Sequence, residues 1–258
     1  MSDRVNSAAT TPPPPDVGQL LADFLSQATA QGFRTEVFGQ IEAYPLLALT
    51  KRAPGPRPRI YLSAGIHGDE PAPPQALLAL LKDGLFDGRA TWFICPVLNP
   101  VGLQRGTREN GQRRDLNRDY QDRLSAEVAA HTAWLNRQPP FDLTLCLHED
   151  WEARGFYLYE LNPHARPSLA PAMIDSVRSV MPIDIAEVID GRAVAEPGII
   201  RPVSDPLLRQ NWPAAIYLRH HHTTLSYTIE TPTSLPLAQR LAALHQAIGA
   251  ALTLATRD

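Results

Sequence analysis

His67 and Glu70 stand three positions apart in the stretch Ser63-Ala-Gly-Ile-His-Gly-Asp-Glu70, and an imidazole and a carboxylate at that spacing can take two positions on one metal ion. A third donor of suitable type, His148, directly follows a separate apolar run, Phe141-Asp-Leu-Thr-Leu-Cys-Leu147. Two histidines and one glutamate are a ligand set that leaves a catalytic zinc one open position for water. Each residue also has a plainer reading: an exposed turn histidine, a glutamate in the first turn of a helix, a structural histidine at a strand end. Their chemistry depends on whether the fold brings them to one place.

The elements around them favour that. The apolar run 59–64 predicts a short buried strand, and Gly65 and Gly68 permit a sharp turn through which His67 and Glu70 reach one spot. Residues 71–81 then place prolines where a first helical turn tolerates them and leucines on a buried face. A site between a strand and a helix is where open α/β sheets bind ligands. Residues 91–98 read as a second buried strand, followed over 99–120 by a polar, glycine-bearing, arginine-rich loop. The run 141–147 is a third strand, and it delivers His148.

In chain order, residues 1–16 form a polar lead ending in prolines, expected to be disordered, and residues 17–258 form a single catalytic domain. The spacing predicts a helix over 17–30 stopped by Gly32, two β runs over 33–49, a loop over 51–58 and a helix over 122–137 that uses Leu124, Val128 and Leu135. Residues 156–159 read as a half-buried strand, with pocket lining as the alternative. A helix is expected over 167–181, an irregular or β segment over 193–201, one or two strands over 216–229, and a last helix over 235–254 capped by Ser234. Strands alternating with helices imply a largely parallel sheet covered on both faces.

Composition narrows the function classes. With 258 residues, 44% of them apolar and 20% charged, a single α/β domain buries roughly 70–75% of its unfolded surface and needs no metal or disulfide to fold. A metal is therefore expected to serve chemistry. Cys95 and Cys146 each sit in an apolar strand-like run and are expected to be buried thiols of a reducing compartment. A net charge of −3 offers no basic footprint for nucleic acid. No window reaches the length of a membrane span and no hydrophobic signal core opens the chain, so a cytoplasmic location is the expectation.

Six pieces in order, His67-Gly-Asp-Glu70, Asn99-Pro-Val-Gly102, Gly106-Thr-Arg-Glu-Asn110, Asp115-Leu-Asn-Arg118, Leu147-His148 and Thr228-Ile-Glu230, resemble the signature of the zinc metallocarboxypeptidases over residues 59–232. The short murein peptide amidase (γ-D-glutamyl-diaminopimelate amidase) type is most similar, and succinylglutamate desuccinylase and aspartoacylase are related. The resemblance implies a three-layer α/β/α fold with a mixed, largely parallel central sheet of about eight strands and one catalytic Zn2+ held by His67, Glu70 and His148. It also implies Glu230 as general base and Arg108 as the group that polarises the scissile carbonyl, with Asn117 and Arg118 holding a terminal carboxylate of the substrate. Read by its surroundings alone, Glu230 ends the strand-like run 224–229, where a solvated glutamate is as common. Likewise Arg105, Arg108, Arg113, Arg114 and Arg118 can form a solvated loop largely neutralised by Glu109 and Asp115.

Other positions depart from the pattern. Neither Tyr217 nor Tyr227 has the spacing of the tyrosine that closes over substrate in larger family members. After His148 stand Glu149 and Asp150, expected either to orient His67 or His148 or to recognise a substrate amino group. His220, His221 and His222, read on a strand, would alternate faces and cannot converge on one ion, which makes them a surface or site-rim feature.

Three functions follow. The first is a zinc-dependent carboxypeptidase or amidase acting on a small peptide or amino-acid amide next to a free carboxylate. The second is a zinc-dependent N-acyl amino acid deacylase, against which stands the short 28-residue stretch after Glu230, where those relatives usually add a β domain. The third is a non-catalytic binding module, disfavoured because ligands, base and arginines are all present. Neither nucleic acid nor membrane is an expected partner; oligomeric state is not legible.

Overall fold

A computed structural model describes residues 14–257. Residues 1–13 of the expected disordered lead lie outside the described residues, and its last residue, Asp16, caps a helix instead. The Asp16 carboxylate accepts from the Gln19 amide at 3.0 Å and opens α1 (Val17–Ala30), which buries Leu20, Leu21 and Phe24. Gly32, at φ +74°, ends that segment. A hairpin of β1 (Arg34–Ile41) and β2 (Tyr44–Lys51) follows, then β3 (Arg59–Ser63), α2 (Ala72–Lys82), β4 (Thr91–Cys95), α3 (Pro100–Arg105), a single 3-10 turn Leu116–Arg118, α4 (Ala126–Leu135) and β5 (Leu143–Asp150). The rest comprises β6 (Tyr157–Leu161), α5 (Ala170–Val177), the short strands β7 (Val188–Ile189), β8 (Arg192–Ala193) and β9 (Ile199–Ile200), α6 (Ala214–His221), β10 (Ser226–Pro232) and α7 (Leu237–Ala255).

Eight strands form one sheet in the order β1-β2-β4-β3-β5-β10-β6-β9. The middle, β4-β3-β5-β10, is parallel throughout, and β9 is parallel to β6; the β1–β2, β2–β4 and β10–β6 pairings are antiparallel. The expected mixed, largely parallel sheet is therefore present, and side-chain alternation makes it two-faced. Ile60, Leu62, Trp92, Ile94, Leu143, Leu145 and Leu147 pack with α1, α2, α5 and α7. Tyr61, Phe93, Cys95 and Cys146 face the other way, toward α4 and α6. Both cysteines are free and buried, as their apolar runs implied. In α7, Leu244 and Ile248 are fully buried, and a side chain of that size contributes about 1.5–3 kcal/mol by leaving water. The second face contains one polar knot: His131 lies between the hydroxyls of Tyr61, 2.8 Å from Nε2, and Tyr120, 2.7 Å from Nδ1. Burial lowers its pKa to about 3, so the ring is neutral, one hydroxyl donates and the other accepts.

Four sequence expectations change. Residues 216–229 are not strands throughout: Ala214–His221 is helix α6, and only β10 is extended. A short apolar run reads equally as strand or helix; here Pro213 precedes the first turn, and Ile216, Tyr217 and Leu218 are buried together. Residues 99–120 are not one loop, because Asn99 accepts from the Gly102 amide at 2.9 Å and starts α3, which Gly106 ends at φ +64°. Helix α4 begins after Leu124, which is 66% exposed, with Ser125 as its cap. Ser234 caps nothing; Pro236 precedes α7 without a side-chain cap. Among the described residues, no helix is long and apolar enough to cross a membrane.

The turn that carries His67 uses its two glycines differently. Gly65 adopts φ +62°, a left-handed conformation that costs other residues about 1–2 kcal/mol. Gly68 is needed for closeness instead, since a Cβ there would lie 1.9 Å from the Gly102 carbonyl carbon of α3. Gly68→Ala is therefore expected to destabilise the protein by more than about 3 kcal/mol, and Gly65→Ala by about 1–2 kcal/mol, measured by urea unfolding. Equal losses would remove the close approach as the reason for Gly68.

Candidate metal centre and its cleft

Each donor arrives on a different backbone device. The β3 strand ends in a loop stitched to the last residue of β4 by Ala64 N to Cys95 O (3.1 Å) and to the segment after it by Asn99 N to Gly65 O (2.7 Å), which holds His67 in place. Glu70 lies just before Pro71, the N-cap of α2. His148 lies within β5, where it is the register neighbour of Glu230 on β10; the strand continues through it rather than stopping before it.

The geometry brings His67, Glu70 and His148 together. One candidate ligand atom from each lies within 4.8 Å of the other two, and all three residues are buried. His67 Nδ1 meets Glu70 Oε1, while His148 Nδ1 is 3.0 Å from Glu70 Oε2. Burial would raise the pKa of Glu70, but the two imidazoles outweigh it and bring it down to about 2. Burial likewise opposes a charge on His67, yet Glu70 and Asp115 raise it to about 9. For His148 burial prevails over Glu70 and lowers the pKa. Two imidazole nitrogens converging on one ionised, buried carboxylate make a donor set of the kind that holds a divalent transition metal, and the site fits one.

Asp115 supports that set, a role absent from the sequence reading. Its carboxylate accepts from Asn117 N at 2.8 Å and Arg108 Nε at 3.1 Å, and pairs with His67 Nε2 at 3.2 Å. A carboxylate on the far nitrogen of a ligating histidine orients the ring and raises its basicity. Its presence in the piece Asp115-Leu-Asn-Arg118 was the available signal. Of the two expectations for Glu149 and Asp150, orientation of the histidines is not met: among the described residues neither bonds His67 or His148. Glu149 is buried, pairs with Arg240 of α7 and accepts from the Ala72 amide at 2.8 Å; Asp150 accepts from the Tyr157 hydroxyl at 2.9 Å.

A cleft of about 590 Å³ opens over the centre. Arg108, half-buried, keeps one guanidinium nitrogen 3.8 Å from Glu70 Oε1. Asn117 accepts from the Ala214 amide at 2.9 Å, which ties it to the start of α6, and Arg118 donates to the Asn117 carbonyl at 2.9 Å; both line the cleft. Glu230 lines it too, half-buried, and among the described residues its carboxylate makes no hydrogen bond or ion pair. Burial raises its pKa well above the carboxylate range, with Glu70, Asp150 and Asp190 adding to the effect.

The remaining candidates separate. Tyr217 donates to Asn136 and Tyr227 to Glu160, both in the interior. The cleft instead contains Tyr157 and Tyr159 of β6, so that segment is pocket lining on a strand buried on both faces, with Phe156, Tyr157 and Leu158 all inside, rather than a half-buried strand. His220 and His221 close α6 and His222 is its C-cap; among the described residues, they are not part of the metal-type group.

Comparison with known proteins bears on the family and the fold. Residues 56–184 match the model of the succinylglutamate desuccinylase/aspartoacylase catalytic domain. A protein from Shewanella amazonensis, provisionally named a metallopeptidase, has a similar fold: TM-score 0.80, 24% identity, covering 93% of each chain. A metallo-carboxypeptidase from Burkholderia cenocepacia superposes with a TM-score of 0.67 at 21% identity, covering 92% of this chain and 68% of its own. The corresponding figures for a metallo-carboxypeptidase from Pseudomonas aeruginosa, in complex with (2-guanidinoethylmercapto)succinic acid, are 0.66, 19%, 92% and 69%.

The buried charges predict how the metal-stripped protein responds to pH. His67 holds a proton in the folded chain up to about pH 9 but only to about pH 6.5 when unfolded. Its contribution is complete below pH 6.5 and is lost as the pH rises toward 9. Chelator-treated protein should therefore lose about 1–3 kcal/mol between those values, and His67→Gln should flatten the slope in urea unfolding at several pH values. An unchanged slope in the variant would contradict the assignment.

Proposed function

The chain belongs to the succinylglutamate desuccinylase/aspartoacylase catalytic-domain family, and from that premise we propose that it is a zinc-dependent hydrolase that cleaves an amide bond next to a residue with a free carboxylate. The observation that carries this reading is the pairing of the buried His67–Glu70–His148 group with an unpaired carboxylate, Glu230, on the same cleft. Zinc, when bound by those three residues, supplies a water of lowered pKa and a positive charge beside the scissile carbonyl.

The protein's own groups do the rest. Glu230, an acid on the cleft beside the metal-type group, takes a proton from the attacking water and passes it to the leaving amine nitrogen. The C–N bond breaks, and one carboxylic acid and one amine result. Arg108 faces the oxygen on which negative charge develops, held there by Asp115. Asn117 and Arg118 hold the substrate carboxylate, a role for which a guanidinium offers two parallel donors.

A peptide or γ-linked amide is the primary substrate reading, and the similarity to the murein peptide amidase type rests on the Gly-Thr-Arg and Asp-Leu-Asn-Arg spacing. An N-acyl amino acid is the second, favoured by the family match itself. Product detection by mass spectrometry separates them: loss of an amino acid from a peptide supports the first, and release of succinate or acetate supports the second. With either substrate, Glu230→Gln should retain metal and lose about 10²–10⁴-fold in kcat. Arg108→Ala should lose about 10²–10³-fold in kcat with metal retained. Full turnover in the Glu230 variant would remove it as the base.

A further inference from the structure

The stretch that leads from Glu70 into α2 reads Pro71-Ala-Pro-Pro74. Prolines have no backbone N–H, so the Ala72 amide is the one main-chain donor of that stretch. Glu149 takes it: its buried carboxylate accepts from Ala72 N at 2.8 Å, and a negative charge at a helix N-terminus has the favourable sign. The other carboxylate oxygen pairs with Arg240 of α7. Arg240 is itself 5% exposed, so the pair is shut away from water.

This carboxylate stands between two members of the metal-type group. It belongs to the residue directly after His148, and through the Ala72 amide it reaches a point two residues after Glu70, with the Pro71 ring stiffening the interval. A rotation of α2 or a slip of its first turn would draw Glu70 away from the imidazoles. The Glu149 bond opposes that motion, and because it starts beside His148 it fixes the two ligands relative to each other. We propose that Glu149, held by Arg240, is a positioning residue for the metal centre, setting the separation of Glu70 and His148 and with it the affinity and geometry of metal binding. It acts through the ligands and touches neither metal nor substrate. The proposal rests on the reading that His67, Glu70 and His148 bind zinc and uses nothing about the substrate. A buried ion pair that served stability alone would behave differently: its loss would weaken the fold and leave zinc binding by the folded protein unchanged.

The test measures zinc affinity of the full chain by competition with a chromophoric chelator, alongside urea unfolding of the metal-free protein. Glu149→Ala should weaken zinc binding by about 10–100-fold, the range for groups that orient metal ligands. It should also change the visible absorption of the Co2+-loaded protein, which reports ligand geometry. Glu149→Gln retains an oxygen that can accept from Ala72 N but leaves Arg240 without a charge partner, so it should lose stability yet bind zinc within about threefold of the unaltered chain. Arg240→Lys, which keeps the charge and loses the guanidinium fork, should fall between the two Glu149 variants. Thr231, the register neighbour of Glu149 on β10, is buried and its hydroxyl has no hydrogen-bond partner among the described residues; Thr231→Val should leave zinc affinity and the Co2+ spectrum as they were. Unchanged zinc affinity or an unchanged Co2+ spectrum in folded Glu149→Ala would overturn the positioning role, and so would a Glu149→Gln as weak as Glu149→Ala. If Glu149→Ala does not fold, Arg240→Lys decides: weaker zinc binding supports the role and unchanged binding overturns it. An unaltered chain that binds no zinc would remove the centre and this role together. Zinc affinities that follow the predicted order, with no hydrolysis of any amide tested, would count against the hydrolase reading and leave the positioning role standing.

Discussion

A carboxylate with almost no access to water, clasped between two imidazoles, is the constraint on which the rest of this structure depends. Glu70 is 3% exposed, and an isolated ionised carboxylate in such a place would be strongly unfavourable. Its charge persists because His67 and His148 stand against its two oxygens, and because Asp115 in turn fixes the far side of the His67 ring. A shell of this kind needs three chain segments, distant in sequence, at one level of the sheet. The parallel block β4-β3-β5-β10 provides that level: β3 runs into the loop carrying His67 and Glu70, β5 carries His148, and β10 sets Glu230 beside it.

The support extends behind the site as well as over it. Glu149 alternates to the opposite face from His148 and binds both the first amide of α2 and the Arg240 guanidinium of α7. The helix that starts just after Glu70 is thereby joined to the last helix of the described chain. A buried ion pair of this type is weak evidence for stability, but removing one partner would strand the other charge beside the metal-type group. On the open side, Asp115 links His67, Arg108 and the Asn117 backbone, so one carboxylate sets the geometry of donors with different tasks.

Much of this was legible in the residue order, and the limits have physical causes. The strands 59–64, 91–98 and 141–147 were readable because both faces of each are buried, which leaves continuous apolar runs. Their ends were less so, since His148 is part of its strand and Pro96 stops β4 early. The segment 216–229 misled because Ile216, Tyr217 and Leu218 suit a strand locally while a helix covers the second face of the sheet. Gly68 looked like a turn residue, although its requirement is the approach of α3, a tertiary fact invisible to local conformation. Orienting the histidines was one of two expectations for Glu149; its partner Arg240 lies 91 positions away, and no local pattern announces such a pairing. Arg192 and Arg209 sit in segments with little periodicity, so only the fold reveals that they line the cleft.

Among the described residues, His67, Glu70 and His148 form the group suited to a metal ion, and the proposed hydrolysis requires that group to hold one. The most direct measurement is metal content by mass spectrometry after dialysis against zinc, on the full chain and on Glu70→Ala, with circular dichroism confirming that both are folded. One zinc per wild-type chain and none per folded variant is the predicted result. Equal zinc in both proteins, or none in the wild type, would contradict it.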